Sequence, residues 1–184
     1  MLAYRFYQDA LPYDAFFTQF GTDAQKARWD RTRQAVVLNP EQRTLLAGFK
    51  RETNVLMLAG AWCGDCAGNC PIFEAFAAAA PVLKVRYLDR DAFPEAQAEL
   101  KINGGNRVPV AVFFSEDGLE VSRYGERTLT SYRRMAAEVS GEACGTGVVS
   151  ADHLAAIAAD WLREVERAQW VLRLSPRLRK LHAD

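Results

Sequence analysis

Two cysteines separated by two residues, Cys63 and Cys66, have the spacing most suggestive of chemistry in this chain. They lie in Trp62-Cys63-Gly64-Asp65-Cys66, after the apolar run Val55-Leu56-Met57-Leu58-Ala59 and the break at Gly60-Ala61. The apolar run suits a strand buried on both faces of a sheet, and a helical pattern follows the cysteines. At such a strand-to-helix switch the first cysteine stands at a helix start, where unpaired N–H groups and the positive dipole end lower a thiol pKa. The second lies one turn in, within reach to close a disulfide or attack a mixed one. Cys63 is therefore the candidate nucleophile and Cys66 the candidate resolving thiol. The competing reading, two inert core cysteines, conflicts with the exposure expected at a helix start.

Cys70 is a third sulfur, four residues beyond Cys66 and on the same helix face. Its simplest role is that of a small apolar packing residue. It could instead be a second resolving thiol, or join Cys63 and Cys66 in a metal or iron–sulfur site. That last option lacks an evident fourth ligand, because Cys144 and His153 are far along the chain in ordinary contexts. Cys144 reads as a free thiol, and His153 and His182 as solvent residues. No metal or other cofactor is expected.

The Trp62-Cys63-Gly64-Asp65-Cys66 motif resembles the thioredoxin signature, which usually carries Pro where Asp65 stands. Pro71 matches the family proline that kinks the active-site helix. Asn106-Arg107-Val108-Pro109-Val110 precedes a predicted strand, as the family's cis-proline segment does. The resemblance covers about residues 51–140 and extends to a bacterial thioredoxin-like subfamily with WCGDC and an NGG–hydrophobic–Pro segment. It implies a thioredoxin fold and a thiol–disulfide oxidoreductase. Its partners would be a disulfide-containing protein or small molecule and a thiol-reducing electron donor. It also implies that Pro109 is cis and lies against the dithiol, leaving a metal no donor there. Val108 would offer its backbone to the substrate, and Gly125 matches the glycine that lets the substrate approach. Trp62 would shield the pair, and Gly64 keeps the linker small.

Two departures from the family matter. Its buried Asp on the strand before the motif, the proton acceptor for the resolving cysteine, is replaced here by Met57, which takes no proton. The acceptor's usual Lys partner is absent as well. The resolving step must then use water, Asp65 or an acid from elsewhere. Asp65 itself, in the first helical turn, stabilises the helix but repels a nearby thiolate. It should raise the Cys63 pKa and favour the disulfide over the dithiol, which points to a reductant rather than an oxidant.

The rest of the chain must position these residues. Residues 1–50 read as helices: Asp14 as a cap for a segment carrying Phe16, Phe17 and Phe20, then Gly21 as its stop. Thr22 with Gln25 forms a capping box, and Asn39-Pro40 with Gln42 another start, with Leu45, Leu46 and Phe49 packing inward. Strands follow at 83–88, 108–114 and 119–124, the last two joined by a Glu116-Asp117-Gly118 turn, with helices at 94–100 and 129–139. Gly141–Gly147 reads as a loop without the features of a phosphate loop. Ser150 caps a long helix whose Leu154, Ile157, Trp161, Val165 and Ala168 form a buried stripe, ended by Pro176. The basic tail Arg177-Leu178-Arg179-Lys180 reads as a solvated end.

At 184 residues, with 49% hydrophobic and 25% charged residues, the chain suits one soluble domain with a sizeable core. Lys+Arg and Asp+Glu both number 23, which argues against a general nucleic-acid or anionic-membrane binder. No signal peptide or membrane span is read, so a cytoplasmic, reducing location is expected, where cysteines are catalytic or metal-binding rather than structural. The expected architecture is a single α/β domain over 1–184, a thioredoxin-like core at 51–140 with helical extensions at 1–50 and 141–184. The expected activity is reduction of disulfides through Cys63 and Cys66. A redox sensor or binding protein without turnover, and a metal protein using Cys63, Cys66 and Cys70, are the alternatives.

Overall fold

In the computed structural model, residues 2–140 and 151–184 are described. Four helices come first: α1 (Leu2–Asp9), α2 (Tyr13–Phe20), α3 (Asp23–Ala35) and α4 (Pro40–Ala47). Asp14 is not the cap of α2. Pro12 occupies that position without a side-chain bond, and Asp14 lies in the first turn, where its charge still suits the dipole. Complete capping boxes open α3 at Thr22 and Gln25 and α4 at Asn39 and Gln42.

The central strand β1 (Thr53–Ala59) is buried along its whole length. After it come α5 (Gly64–Asn69) and α6 (Ile72–Ala79), two helices separated at Cys70-Pro71. Proline contributes no N–H there, and it caps the second helix. Then follow β2 (Leu83–Asp89), α7 (Pro94–Glu99), β3 (Val110–Ser115), β4 (Glu120–Gly125) and α8 (Leu129–Ser140). The strand expected from 108 starts at Val110, leaving Val108 and Pro109 outside the ladder. Gly141–Gly147, Cys144 and Ser150 lie outside the described residues. The long helix α9 (Ala151–Arg173) carries the buried stripe Leu154, Ile157, Trp161, Val165 and Ala168.

Pro176 does not merely end that helix. It is the first residue of α10 (Pro176–His182), capped by the Ser175 hydroxyl. Nor is the tail simply solvated: Leu178 is buried, Arg177 pairs with Asp117, and His182 Nε2 lies 2.8 Å from Glu116 Oε1. The extended Ser175 backbone turns the chain back over the hairpin, which a proline read only as a stop does not reveal.

The sheet order is β2-β1-β3-β4, with β1 and β2 parallel and β3 antiparallel to both its neighbours. Helices flank this mixed sheet as in a thioredoxin fold. Met57 pairs with Tyr87 across β1 and β2, so their side chains share a face. On that face Tyr13, Phe16 and Trp29 close around Tyr87, with ring centroids 5.7, 5.8 and 6.0 Å from it. Phe73 and Tyr124 each lie 5.1 Å from the Trp161 ring of α9. Helices from both ends of the chain thus share the core that carries the dithiol strand.

A candidate redox site at the start of helix α5

Cys63 is the N-cap of α5, and its sulfur accepts the Cys66 backbone N–H at 3.4 Å. Its thiol points across to the Val108 carbonyl, 3.8 Å away. Cys63, Cys66 and Cys70 are all free thiols. Cys63 retains 8% of its surface, whereas Cys66 and Cys70 retain none.

The cap position does not lower the Cys63 pKa as expected. Its interaction with the Cys66 thiol, then burial, raise it well above the ordinary range and outweigh the N–H groups of Cys66 and Asp65. Burial likewise pushes Cys66 far up. Among the described residues no group of three or more His, Cys, Asp or Glu is disposed to hold a metal, so the three-cysteine metal reading has no geometric support.

Val108–Pro109 is a cis peptide bond, and the Val108 carbonyl faces the Cys63 thiol. Gly125 pairs with Val110 on the adjoining strand, and a Cβ on it would lie 2.6 Å from the Pro109 oxygen. Backbone cannot yield as a side-chain tip can, so this glycine permits β4 to approach the Pro109 segment. A Cβ on Gly64 would instead meet the guanidinium tip of Arg28 at 2.7 Å.

Trp62 is 46% exposed beside the dithiol. Its indole N–H donates to Asp91 at 3.0 Å, and the Arg90 guanidinium lies 4.7 Å over its ring. Arg90 also donates to the Asn106 carbonyl at 3.0 Å, tying the tryptophan to the Val108–Pro109 loop.

Asp65 does not face the thiols unpaired: its carboxylate takes the Arg127 guanidinium at 2.6 Å. Arg127 bonds Glu126 as well, and Glu126 also accepts from Arg107 and the Tyr132 hydroxyl. This network links the motif, the Val108–Pro109 loop and α8. The sequence reading did not single out these partners, because nothing local in a chain pairs residues 62 positions apart.

Two other unforeseen contacts hold the motif from opposite ends of the chain. The Trp29 indole N–H donates to the Ala61 carbonyl at 3.1 Å. The Trp161 indole N–H donates to Asn69 Oδ1 at 2.8 Å, and the Asn69 amide donates to the Asp65 carbonyl at 2.7 Å. Trp161 was legible as core, and Asn69 gave no signal beyond its place on the helix.

Met57 is fully buried and offers no proton acceptor. On the same sheet face, the Tyr87 hydroxyl donates to Glu74 at 2.7 Å and lies 3.3 Å from the Cys70 carbonyl. Burial raises the Glu74 pKa, opposed by the Tyr87 hydrogen bond and by Arg33.

Comparison with known proteins bears on the family and the fold. A family model described as Thioredoxin matches residues 12–139. A thioredoxin from Chlamydia muridarum is 37% identical over 62 residues, covering 34% of this chain and 57% of that protein. The chain thus spans a little over half the length of that curated relative. A Pseudomonas aeruginosa protein of unknown function superposes with a TM-score of 0.69 at 18% identity, over 89% of this chain and 96% of the other. An HIV epitope-scaffold gives 0.66 at 17% identity, over 88% and 96%. These two structures establish likeness of fold alone.

Proposed function

The chain belongs to the thioredoxin family, and on that premise we propose that it is a thiol–disulfide oxidoreductase acting as a reductase. The observation that carries the reading is the asymmetry of the dithiol: Cys63 keeps an exposed edge beside the Val108 carbonyl, and Cys66 is sealed beneath it. Only the outer sulfur can meet a substrate disulfide.

The Cys63 thiolate attacks one sulfur of that disulfide and expels the other half as a thiolate, leaving a mixed disulfide on Cys63. Cys66, losing its proton, then attacks Cys63 Sγ. The second half leaves reduced, and a Cys63–Cys66 disulfide remains. A thiol-reducing electron donor returns the pair to the dithiol. The Cys66 N–H already directed at Cys63 Sγ supports the thiolate as it forms. Val108 lines the approach, Pro109 and Gly125 keep it narrow, and Trp62 covers its rim. Raised thiol pKa values favour a pair that holds its protons and gives up electrons in a reducing, cytoplasmic compartment.

The same raised values also support a second reading, a redox sensor that reacts slowly and does not turn over. Catalytic reduction of insulin disulfides with a chemical electron donor separates the two. Turnover abolished by Cys63→Ser supports the reductase. Stoichiometric oxidation without turnover would leave the sensor. Cys66→Ser should accumulate mixed disulfides on Cys63, and their mass spectra would identify the substrates.

A further inference from the structure

Arg127, Arg90 and Arg28 each lie against the dithiol motif. Arg127 bonds Asp65, and Arg90 pairs with Asp91 while lying 4.7 Å over the Trp62 ring. Arg28 comes from α3, and its guanidinium rests on Gly64, the residue after the nucleophile. A methyl on Gly64 would fall 2.7 Å from Arg28 Nη2. Unlike the other two arginines, Arg28 has no acid partner among the described residues.

The neighbouring residue holds this guanidinium in place. Trp29 is fully buried and donates its indole N–H to the Ala61 carbonyl at 3.1 Å. That bond pins α3 to the turn just before Cys63, while Arg28 itself is exposed to solvent. Gly64 therefore does more than keep the linker small. Having no side chain, it leaves the guanidinium room beside Cys63.

The acids around the motif are already matched. Asp65 and Glu126 share Arg127, and Asp91 takes Arg90. On α3 itself, Lys26 and Arg33 are bound to Asp30. An anion that reaches Arg28 therefore displaces no acid of the protein, and it meets a planar fork of donors suited to a carboxylate.

We propose that Arg28 selects disulfides that carry a carboxylate close to their sulfurs, pairing with that carboxylate as Cys63 meets the disulfide. The inference rests on the reading of Cys63 as the nucleophile. Arg28 binds and orients the substrate and takes no part in the exchange of bonds. The ion pair forms in contact with solvent, so its effect is modest and falls with salt. A helix outside the expected thioredoxin-like core thereby supplies a specificity residue.

The test compares small disulfides of similar size and different charge: 3,3′-dithiodipropionate is anionic, 2-hydroxyethyl disulfide neutral and cystamine cationic. Arg28→Gln should lower kcat/KM for the anion by about threefold to tenfold, chiefly through KM, and leave the neutral disulfide within about twofold. Cystamine should react as fast or faster. Arg28→Lys keeps the charge and should keep most of the preference. Gly64→Ala, whose methyl displaces the guanidinium, should lose the preference as Arg28→Gln does. Arg5→Gln removes the same charge from α1, where Tyr4 lies beside Asn54 at the other end of β1, and should leave the preference intact. High salt should weaken the preference in the parent. Peptide disulfides with glutamate or glutamine beside the cysteine distinguish the sources: a glutamate preference that Arg28→Gln erases assigns the carboxylate to a polypeptide, and its absence assigns it to a small molecule.

Alkylation reads the same charge without disulfide exchange. The rate of Cys63 with iodoacetate, relative to neutral iodoacetamide, should fall in Arg28→Gln, while the iodoacetamide rate stays that of the parent. Equal losses for all three disulfides would overturn the proposal and make Arg28 a support of the motif. An unchanged preference in Arg28→Gln would overturn it too. A parent protein that exchanges with none of the disulfides would remove the dithiol reading instead, and the iodoacetate ratio would still decide whether Arg28 draws anions to Cys63.

Discussion

Arg127 Nη2 lies 2.6 Å from Asp65 Oδ2, so the carboxylate in the middle of the dithiol motif is paired before a substrate arrives. A negative charge beside Cys63 should oppose its thiolate, but here an adjacent positive charge offsets it. Arg127→Gln should therefore raise the Cys63 pKa by baring Asp65, while Asp65→Asn should lower it slightly. Both effects should shrink in high salt, because the groups are partly exposed and screened. Thiolate absorbance against pH at two salt concentrations measures this. A lowered pKa in Arg127→Gln would contradict the pairing argument.

The Trp161–Asn69 bond ties a C-terminal helix to the active-site helix. Trp161→Phe keeps most of the ring and removes the N–H, stranding an acceptor on a buried residue. The expected loss is about 1–3 kcal/mol, the cost of an unsatisfied buried polar group. Urea unfolding at constant m-value checks it. A midpoint equal to the parent's would mean that Asn69 finds another donor.

What was legible in the sequence was local or periodic. The capping boxes at Thr22 and Asn39 declare themselves through residues three apart, and the α9 stripe through its helical spacing. The dithiol and Val108-Pro109 were visible because residue type and order suffice to show them. Pro176 was misread because a stop after one helix and the first residue of the next look alike in sequence. Asp65–Arg127, Trp161–Asn69 and Tyr87–Glu74 stayed hidden because each depends on how elements are stacked. Met57 showed that an acceptor was missing. Only the parallel register, which sets Tyr87 beside Met57, showed where a polar group stands instead.

Two glycines near the dithiol should respond differently to alanine. At Gly125 the new methyl would meet the Pro109 oxygen at 2.6 Å and the Val110 Cα at 3.0 Å. Both are backbone atoms, so β4 must move away from the Val108–Pro109 segment. Gly125→Ala should cost about 1–3 kcal/mol, the usual range for overpacking, and lower disulfide reduction. At Gly64 the nearest atom is the end of the exposed Arg28 side chain, which can swing aside. Gly64→Ala should stay within about 0.5 kcal/mol of the parent, as at other surface positions. Equal destabilisation in parallel urea titrations would refute the distinction.

Glu74 should leave its own signature in the pH dependence of stability. Burial raises its folded pKa above the ordinary 4.5, against the pull of Tyr87 and Arg33. A raised carboxyl pKa means that the folded protein holds this proton more tightly than the unfolded chain. The resulting stabilisation is fully present below the ordinary glutamate pKa and is lost as pH rises through the folded value. Above that window the carboxylate is a constant burden on folding. Gln keeps an oxygen to accept from Tyr87 and carries no charge at any pH, so Glu74→Gln should match the parent in acid. The variant should then become the more stable protein as pH rises past the window, and the difference should level off. Urea unfolding of both proteins from pH 4 to pH 8 reads this directly. A stability difference that does not vary with pH, or one that favours the parent as pH rises, would show that Glu74 does not bind its proton more tightly in the fold.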